Sequence, residues 1–158
     1  MQMSSSIATR LQYQHKSLLD IIDGLTEEQV RIRTNPEKWS IFETIVHLQT
    51  YQHVFSGRVR EIRSDNRPVF EPYNPNTDPA FIDNCQKSVR EVMQDLITTR
   101  KEMAAAFLPL SLAELNKTGV HPVFGQMVLQ QWLNFFLLHE AHHLFAIFKQ
   151  AGVIKNPL

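Results

Sequence analysis

Apolar residues recur at intervals of three and four in four separate stretches of this chain, and each stretch predicts an amphipathic helix. In the first, Ile7, Leu11, Leu18, Leu19 and Ile22 alternate with polar positions from Ser5 to about Ile22, and Gly24 supplies the stop. Thr26 followed by Glu27, Glu28 and Gln29 predicts a short capped turn, and Asn35-Pro36 breaks the chain before Trp39, the one aromatic of this connector expected to be buried. Ser40 and Glu43 form a capping box that opens a second helix at Ile41. Its stripe of Ile41, Phe42, Ile45, Leu48, Val54, Phe55, Val59 and Ile62 reaches about Ser64.

From Asp65 to Asp78, three prolines (Pro68, Pro72, Pro75) and three asparagines rule out a helix or central strand, so a long ordered loop is predicted. Asp78-Pro79 starts the third helix, whose stripe Phe81, Cys85, Val89, Val92, Leu96, Met103 and Phe107 ends near Pro109. Ser111 and Glu114 offer another capping box, and Gly119, Pro122 and Gly125 predict a short turn and an extended segment over residues 116–125. The last helix is predicted from about Gln126 to Gln150, closed by Gly152 after Ala151. With no convincing strand alternation, the pattern reads as an all-α bundle.

Composition narrows the functional classes. At 158 residues the chain fits one domain, residues 1–158, with a core that needs no staple. Sixteen basic residues balance sixteen acidic ones without long runs of either sign, which argues against capture of nucleic acid or an anionic membrane and for a small or neutral partner. A single cysteine, Cys85, excludes an internal disulfide framework and a four-cysteine zinc site; it is expected to pack as a small hydrophobe. The start Met1-Gln2-Met3-Ser4-Ser5-Ser6 lacks the features of a secretory signal, and a cytoplasmic protein is expected.

The chemistry concentrates in His139-Glu140-Ala141-His142-His143 on the last helix. Positions four apart on a helix differ by about 40°, so His139 and His143 can aim their imidazoles at one point, an arrangement that suits zinc, nickel or iron. His142 is a possible substitute ligand about 60° away on the other side. The same residues match the metalloprotease motif H-E-x-x-H, with Glu140 as general base. That motif needs a third ligand downstream, and residues 144–158 contain no His, Asp or Glu. Glu140 lies about 100° from His139 and is expected to point beside the metal, toward helix pairing or an ion pair. The missing ligand is therefore sought upstream among His15, His47, His53 and His121, where His47 and His53 are separated by about 240° and cannot serve the same face. His15, His53 and His121 are expected to be solvated or capping, with His121 also placed to line a pocket mouth.

Trp39-Ser40-Ile41-Phe42-Glu43-Thr44-Ile45-Val46-His47-Leu48, followed by Gly125-Gln126-Met127 leading into Leu138-His139-Glu140-Ala141-His142-His143-Leu144, resembles the DinB-like family of metal-binding four-helix bundles. The resemblance spans nearly the whole chain. It implies an up-down-down-up style bundle with a long loop between helices two and three, and a divalent metal held by His47, His139 and His143. It also implies relatedness to thiol-dependent S-transferases, hence a possible low-molecular-weight thiol. The chain departs from the family where Leu144-Phe145-Ala146 follows the last histidine in place of the common glycine and glutamine.

Three neutral imidazoles leave an ion its charge and an open position, the pattern of a catalytic site able to activate water or a thiol. The leading expectation is a metal-dependent enzyme that transfers a thiol to a small electrophile or hydrolyses a small molecule, with Tyr51, Glu140 or Glu43 as proton-transfer candidates. The rival expectation is a non-catalytic metal- or ligand-binding stress protein of the same fold. Trp132, Phe135, Phe136, Phe145 and Phe148 cover nearly every side of the last helix, so some are expected to face a pocket or the second subunit of a homodimer.

Overall fold

The computed structural model describes residues 3–64 and 66–157; Met1 and Gln2, and Asp65 at the predicted start of the long loop, lie outside the described residues. The chain forms α1 (Ser5–Tyr13), α2 (Ser17–Ile22), α3 (Glu27–Val30), α4 (Ile41–Arg63), α5 (Pro79–Asn84), α6 (Val89–Phe107), α7 (Leu112–Leu115), a hairpin of β1 (Thr118–His121) and β2 (Gly125–Val128), and α8 (Leu129–Lys155). Capping boxes open α3, α4, α6 and α7, each pairing Thr26, Ser40, Ser88 or Ser111 with a Gln or Glu three residues on.

Side-chain pairs fix the helix directions. Arg10 donates to Asn134 at 2.7 Å, Gln14 to the Leu137 carbonyl at 2.8 Å and Lys155 to the Ile21 carbonyl at 3.0 Å, so α1–α2 and α8 run parallel. His47 meets His139 and Phe55 stacks on Phe136, so α4 opposes α8. Gln52 donates to the Leu96 carbonyl at 3.0 Å and Phe55 meets Phe107, so α4 and α6 run the same way. The result is an up-down-down-up four-helix bundle. Two neighbouring parallel helices cannot be joined by a tight turn. After α4, which spans roughly 35 Å, the chain must return along the bundle, and residues 66–78 make that crossing, closing in a 3-10 turn at Pro75–Thr77. The crossing is pinned where Phe70 N donates to the Val120 carbonyl at 3.0 Å and Val120 N to the Pro68 carbonyl at 2.8 Å.

Four expectations are corrected. The first helix is broken by a tighter turn at Gln14–Lys16, which buries His15 while the Gln14 side chain donates to α8. The third is broken after Asn84, because the Ser88–Glu91 capping box restarts the chain as α6. The extended segment after residue 116 is a true antiparallel hairpin: Pro122, Val123 and Phe124 form a three-residue loop, with Gly125 at φ +71° in the left-handed region such loops demand. Gly119 lets β1 lie against α4, since a Cβ there would fall 2.9 Å from Ile62 Cγ1. The last helix starts at Leu129 and passes through Gly152 to Lys155; Gln131 Oε1 accepts from Val128 N at 3.0 Å and shapes its entry.

The apolar interior falls into two clusters. One gathers Leu11, Phe55, Val59, Ile62, Phe107, Trp132, Leu133 and Phe136; the other gathers Leu18, Ile41, Phe42, Ile45, Val92, Leu96, Leu144 and Ile147. At the level between them, buried polar side chains enter from all four long helical segments, among them His15, His47, Gln52, Arg100 and Glu140.

Candidate metal centre

One histidine of α4 and two at four-residue spacing on α8 bring three imidazoles together in this polar level. The Nε2 atoms of His47 and His139 are 3.2 Å apart, those of His139 and His143 are 3.1 Å apart, and the ligand atoms of all three lie within 4.8 Å of one another. Two nitrogens bound at about 2.0–2.1 Å to one ion, at angles between octahedral and tetrahedral, stand roughly 2.8–3.4 Å apart. The donor set therefore fits one divalent ion. Burial, first of all, lowers the pKa values of His47 and His139 to about 3 and of His143 to about 4, with neighbouring imidazoles adding to the effect. All three are neutral at pH 7, the form that ligates a metal.

The rings are held by aromatic packing. Trp39 lies 5.1 Å and Tyr73 6.1 Å from the His47 ring, and Tyr51 lies 4.6 Å from His139. The Nδ1 atoms of His47 and His139 are buried without a hydrogen-bond partner among the described residues, so no carboxylate fixes these rings.

The cluster opens into a pocket of about 390 Å³ whose walls include Trp39, Tyr51, Arg58, Tyr73, His121 and Phe135. Its outer wall is the crossing loop, through Pro72, Tyr73 and Pro75, so the topology that forces the long return also roofs the site. The Tyr73 hydroxyl donates to Asp78 Oδ2 at 2.9 Å, and burial leads the causes that hold this phenol protonated. Burial also raises the Tyr51 pKa, while a hydrogen bond and charge from Arg58 pull the other way. His121 Nδ1 accepts from Val123 N at 3.1 Å and Phe124 N at 3.2 Å, so the neutral ring carries its proton on Nε2. Burial, then the Arg58 charge, lowers its pKa.

Other sequence candidates fall elsewhere. Glu140, named as a proton-transfer group, faces away from the pocket: Oε1 accepts from Gln14 at 2.9 Å and from Arg100 Nη1 at 3.2 Å, and Oε2 pairs with Arg100 Nη2. Held this way it is not among the residues that line the pocket, and the peptidase motif is left without its base. Glu43 is held by Arg33 and by the Ser40 backbone. His142 is exposed beside His143 and outside the cluster. His53 pairs with Asp95 at the surface, His15 is buried in the turn between α1 and α2, outside the cluster, and Cys85 is half-buried with its thiol pKa pushed up by burial. Arg58 and Tyr73 were not singled out by sequence reading. The signal for Arg58 was present, because eleven residues after His47 is about 20° from it around α4. None existed for Tyr73, whose place depends on the path of the loop.

Comparison with known proteins agrees with this architecture. Uncharacterized protein YuaE of Bacillus subtilis is 24% identical over 135 residues, covering 78% of this chain and 83% of its own. The solved structure of YfiT from Bacillus subtilis superposes with a TM-score of 0.83 at 15% identity, covering 95% of this chain and 86% of that one. That protein is described as a probable metal-dependent hydrolase with an unusual four-helix bundle topology. Residues 10–147 match the family model of the DinB superfamily, and this chain belongs to that superfamily.

Proposed function

We propose that this chain is a divalent-metal-dependent enzyme that directs water or a small thiol against a small electrophile bound in the aromatic pocket. The observation that carries this reading is the convergence of three neutral Nε2 atoms at the base of a pocket sized for a small molecule. His47, His139 and His143 would hold zinc, nickel or iron(II), and such an ion supplies a Lewis acid that lowers the pKa of a water or thiol. Among the described residues lining the pocket none is a carboxylate. That supports a reaction in which the nucleophile loses its proton at the histidine cluster itself, without a separate general base. Tyr51 lines the pocket beside His139, and burial keeps its proton in place, so it is a group positioned to donate to an oxygen of the electrophile. Trp39, Tyr73 and Phe135 supply apolar walls around the reacting atoms.

Elemental analysis of untagged protein is expected to give one ion per chain, lost in His47→Ala, His139→Ala and His143→Ala. Protein that takes up no metal, with all three variants unchanged in uptake and melting temperature, rejects the proposal. Loaded protein is then assayed with thiols against epoxides and alkyl halides, and separately with small esters and amides. Metal uptake without turnover in either panel supports the non-catalytic reading of the same site. We also propose a homodimer through the outward face of α8, where Leu138, Phe145 and Phe148 are 56–60% exposed. Light scattering that finds only monomer removes it.

A further inference from the structure

Arg58 is 8% exposed, lines the pocket, and is the one permanently charged side chain among the described residues that do so. A buried guanidinium is costly unless paired, since the charge leaves water without compensation. Among the described residues no carboxylate pairs with it. One N–H donates to the Glu71 carbonyl at 2.9 Å, which leaves most of its five donors free toward the pocket and the Tyr51 hydroxyl beside it. The carboxylate of Asp78, which holds the pocket's Tyr73, is already engaged, accepting from Tyr73 through one oxygen and from Ala80 N at 2.9 Å through the other. Phe70 and Trp132 lie 5.1 and 6.0 Å from the guanidinium carbon and hold it by their ring faces.

The position of this cation relative to the histidines is also defined. Tyr51 shares the pocket lining with both, its ring 4.6 Å from that of His139 and its hydroxyl within the influence of the Arg58 charge. We propose that Arg58 is the specificity-determining residue of the pocket and binds a carboxylate of the substrate, whose reactive end lies over the three histidines about a phenol's length away. The ligand class is a small, partly aromatic or aliphatic monocarboxylate. A planar anion satisfies the guanidinium fork with two parallel bonds and neutralises the pocket's one fixed charge. This inference takes only the location of the reactive end from the proposed function; the anion site stands without it.

The test uses 3-phenylpropionate and its uncharged amide, titrated into the full chain by calorimetry, both as purified and after dialysis against a chelator. Charge-assisted bonds of this kind are worth about 1.5–3 kcal/mol, so the acid is expected to bind at least about tenfold more tightly than the amide in both preparations. In Arg58→Gln the preference falls below about twofold, and in Arg58→Lys it persists but weakens, because a point charge replaces the fork. Circular dichroism checks each fold, and Arg58→Lys decides the matter if the glutamine variant does not fold. Equal binding of acid and amide, no binding of the acid at 10 mM, or a preference unchanged in the folded variants overturns the proposal. So does a preference that disappears on chelation, which would place the carboxylate on the ion. Failure of the metal site alone leaves the chelated arm intact, so the two readings fail separately.

Discussion

His139 and Glu140 are neighbours on α8, yet they enter two buried polar centres built on opposite rules. Glu140 closes a network with one member from each long helical segment: Gln14 donates to it, Arg100 pairs with it, and Gln52 accepts from Arg100 Nε at 2.8 Å while donating to the Leu96 carbonyl. Phe136 lies 4.9 Å from the guanidinium and covers it. Within this group the polar atoms find partners, and opposite charges cancel. Across α8, the histidine cluster points three like atoms at one another, leaves two Nδ1 atoms unpaired and sits beside an arginine with no carboxylate. A closed network specifies the bundle's register. The open set is costly to the empty fold and is repaid only by what binds there, which is how a site differs from a strut.

The contrast is broken most severely by cutting the closed network. Glu140→Ala is expected to cost about 3–5 kcal/mol, because it strands the Arg100 charge in the interior; urea denaturation measures the loss. Replacing both partners, as Arg100→Met with Glu140→Leu, should recover most of it. If the single variant costs less than about 1 kcal/mol, water must reach Arg100 and the network is no strut. His139→Leu removes an unpaired buried nitrogen with little change of volume, and without metal it should shift stability by no more than about 1 kcal/mol. Its effect appears on loading. Zinc at one hundred times its Kd should stabilise the parent chain by about 2.7 kcal/mol and leave His139→Leu unmoved.

The two centres also differ in how legible they were. His139 and His143 announced themselves by spacing on one helix, and the family resemblance supplied His47. Glu140 was deceptive, since its place in H-E-x-x-H suggested chemistry while its angle on the helix already turned it aside. Its partner Arg100 is on α6 and Gln52 on α4, and no local pattern says which charged residues of separate helices will meet. The four helical stripes were readable because burial imposes periodicity. The breaks at Gln14–Lys16 and after Asn84 were not, because each follows from a local hydrogen-bond choice within an unbroken apolar stripe. The β1–β2 hairpin was missed for a related reason. Its strands are four residues long, too short for alternation to register, although Gly125 after a three-residue loop was the available sign.

Acid separates the centres by a smaller amount. The buried histidines, including His15 beside the network, have pKa values held below the ordinary 6.5 chiefly by burial, His15 at about 4. A group that is harder to protonate when folded contributes its full stability above the unfolded value of 6.5. As pH falls, the unfolded chain takes the proton first, so that contribution is lost between about pH 6.5 and the folded value. Around pH 5 each such histidine should add up to about 1.4 kcal/mol per pH unit to the slope of stability against pH. His15→Phe should lower the slope of chelated protein by one such increment, measured by urea melts from pH 7 to 4.5. An unchanged slope would mean that His15 is reached by water in the folded chain.

The finest division concerns the helix starts that carry each centre. Ser40 and Ser88 make the same two bonds, but Ser40 caps the helix that holds His47 and Ser88 the helix that holds Arg100. Ser40→Ala and Ser88→Ala should each cost about 1 kcal/mol in thermal or urea melts, the usual value of an N-cap. Their effects on zinc affinity should still be small, below about threefold for Ser40→Ala, since fraying is confined to the first turn and His47 lies in the second. What positions His47 is the packing of Trp39, Tyr51 and Tyr73 around its ring. A tenfold loss of zinc affinity in Ser40→Ala, with none in Ser88→Ala, would show instead that the cap sets the imidazole, and that the open centre depends on backbone order two turns away.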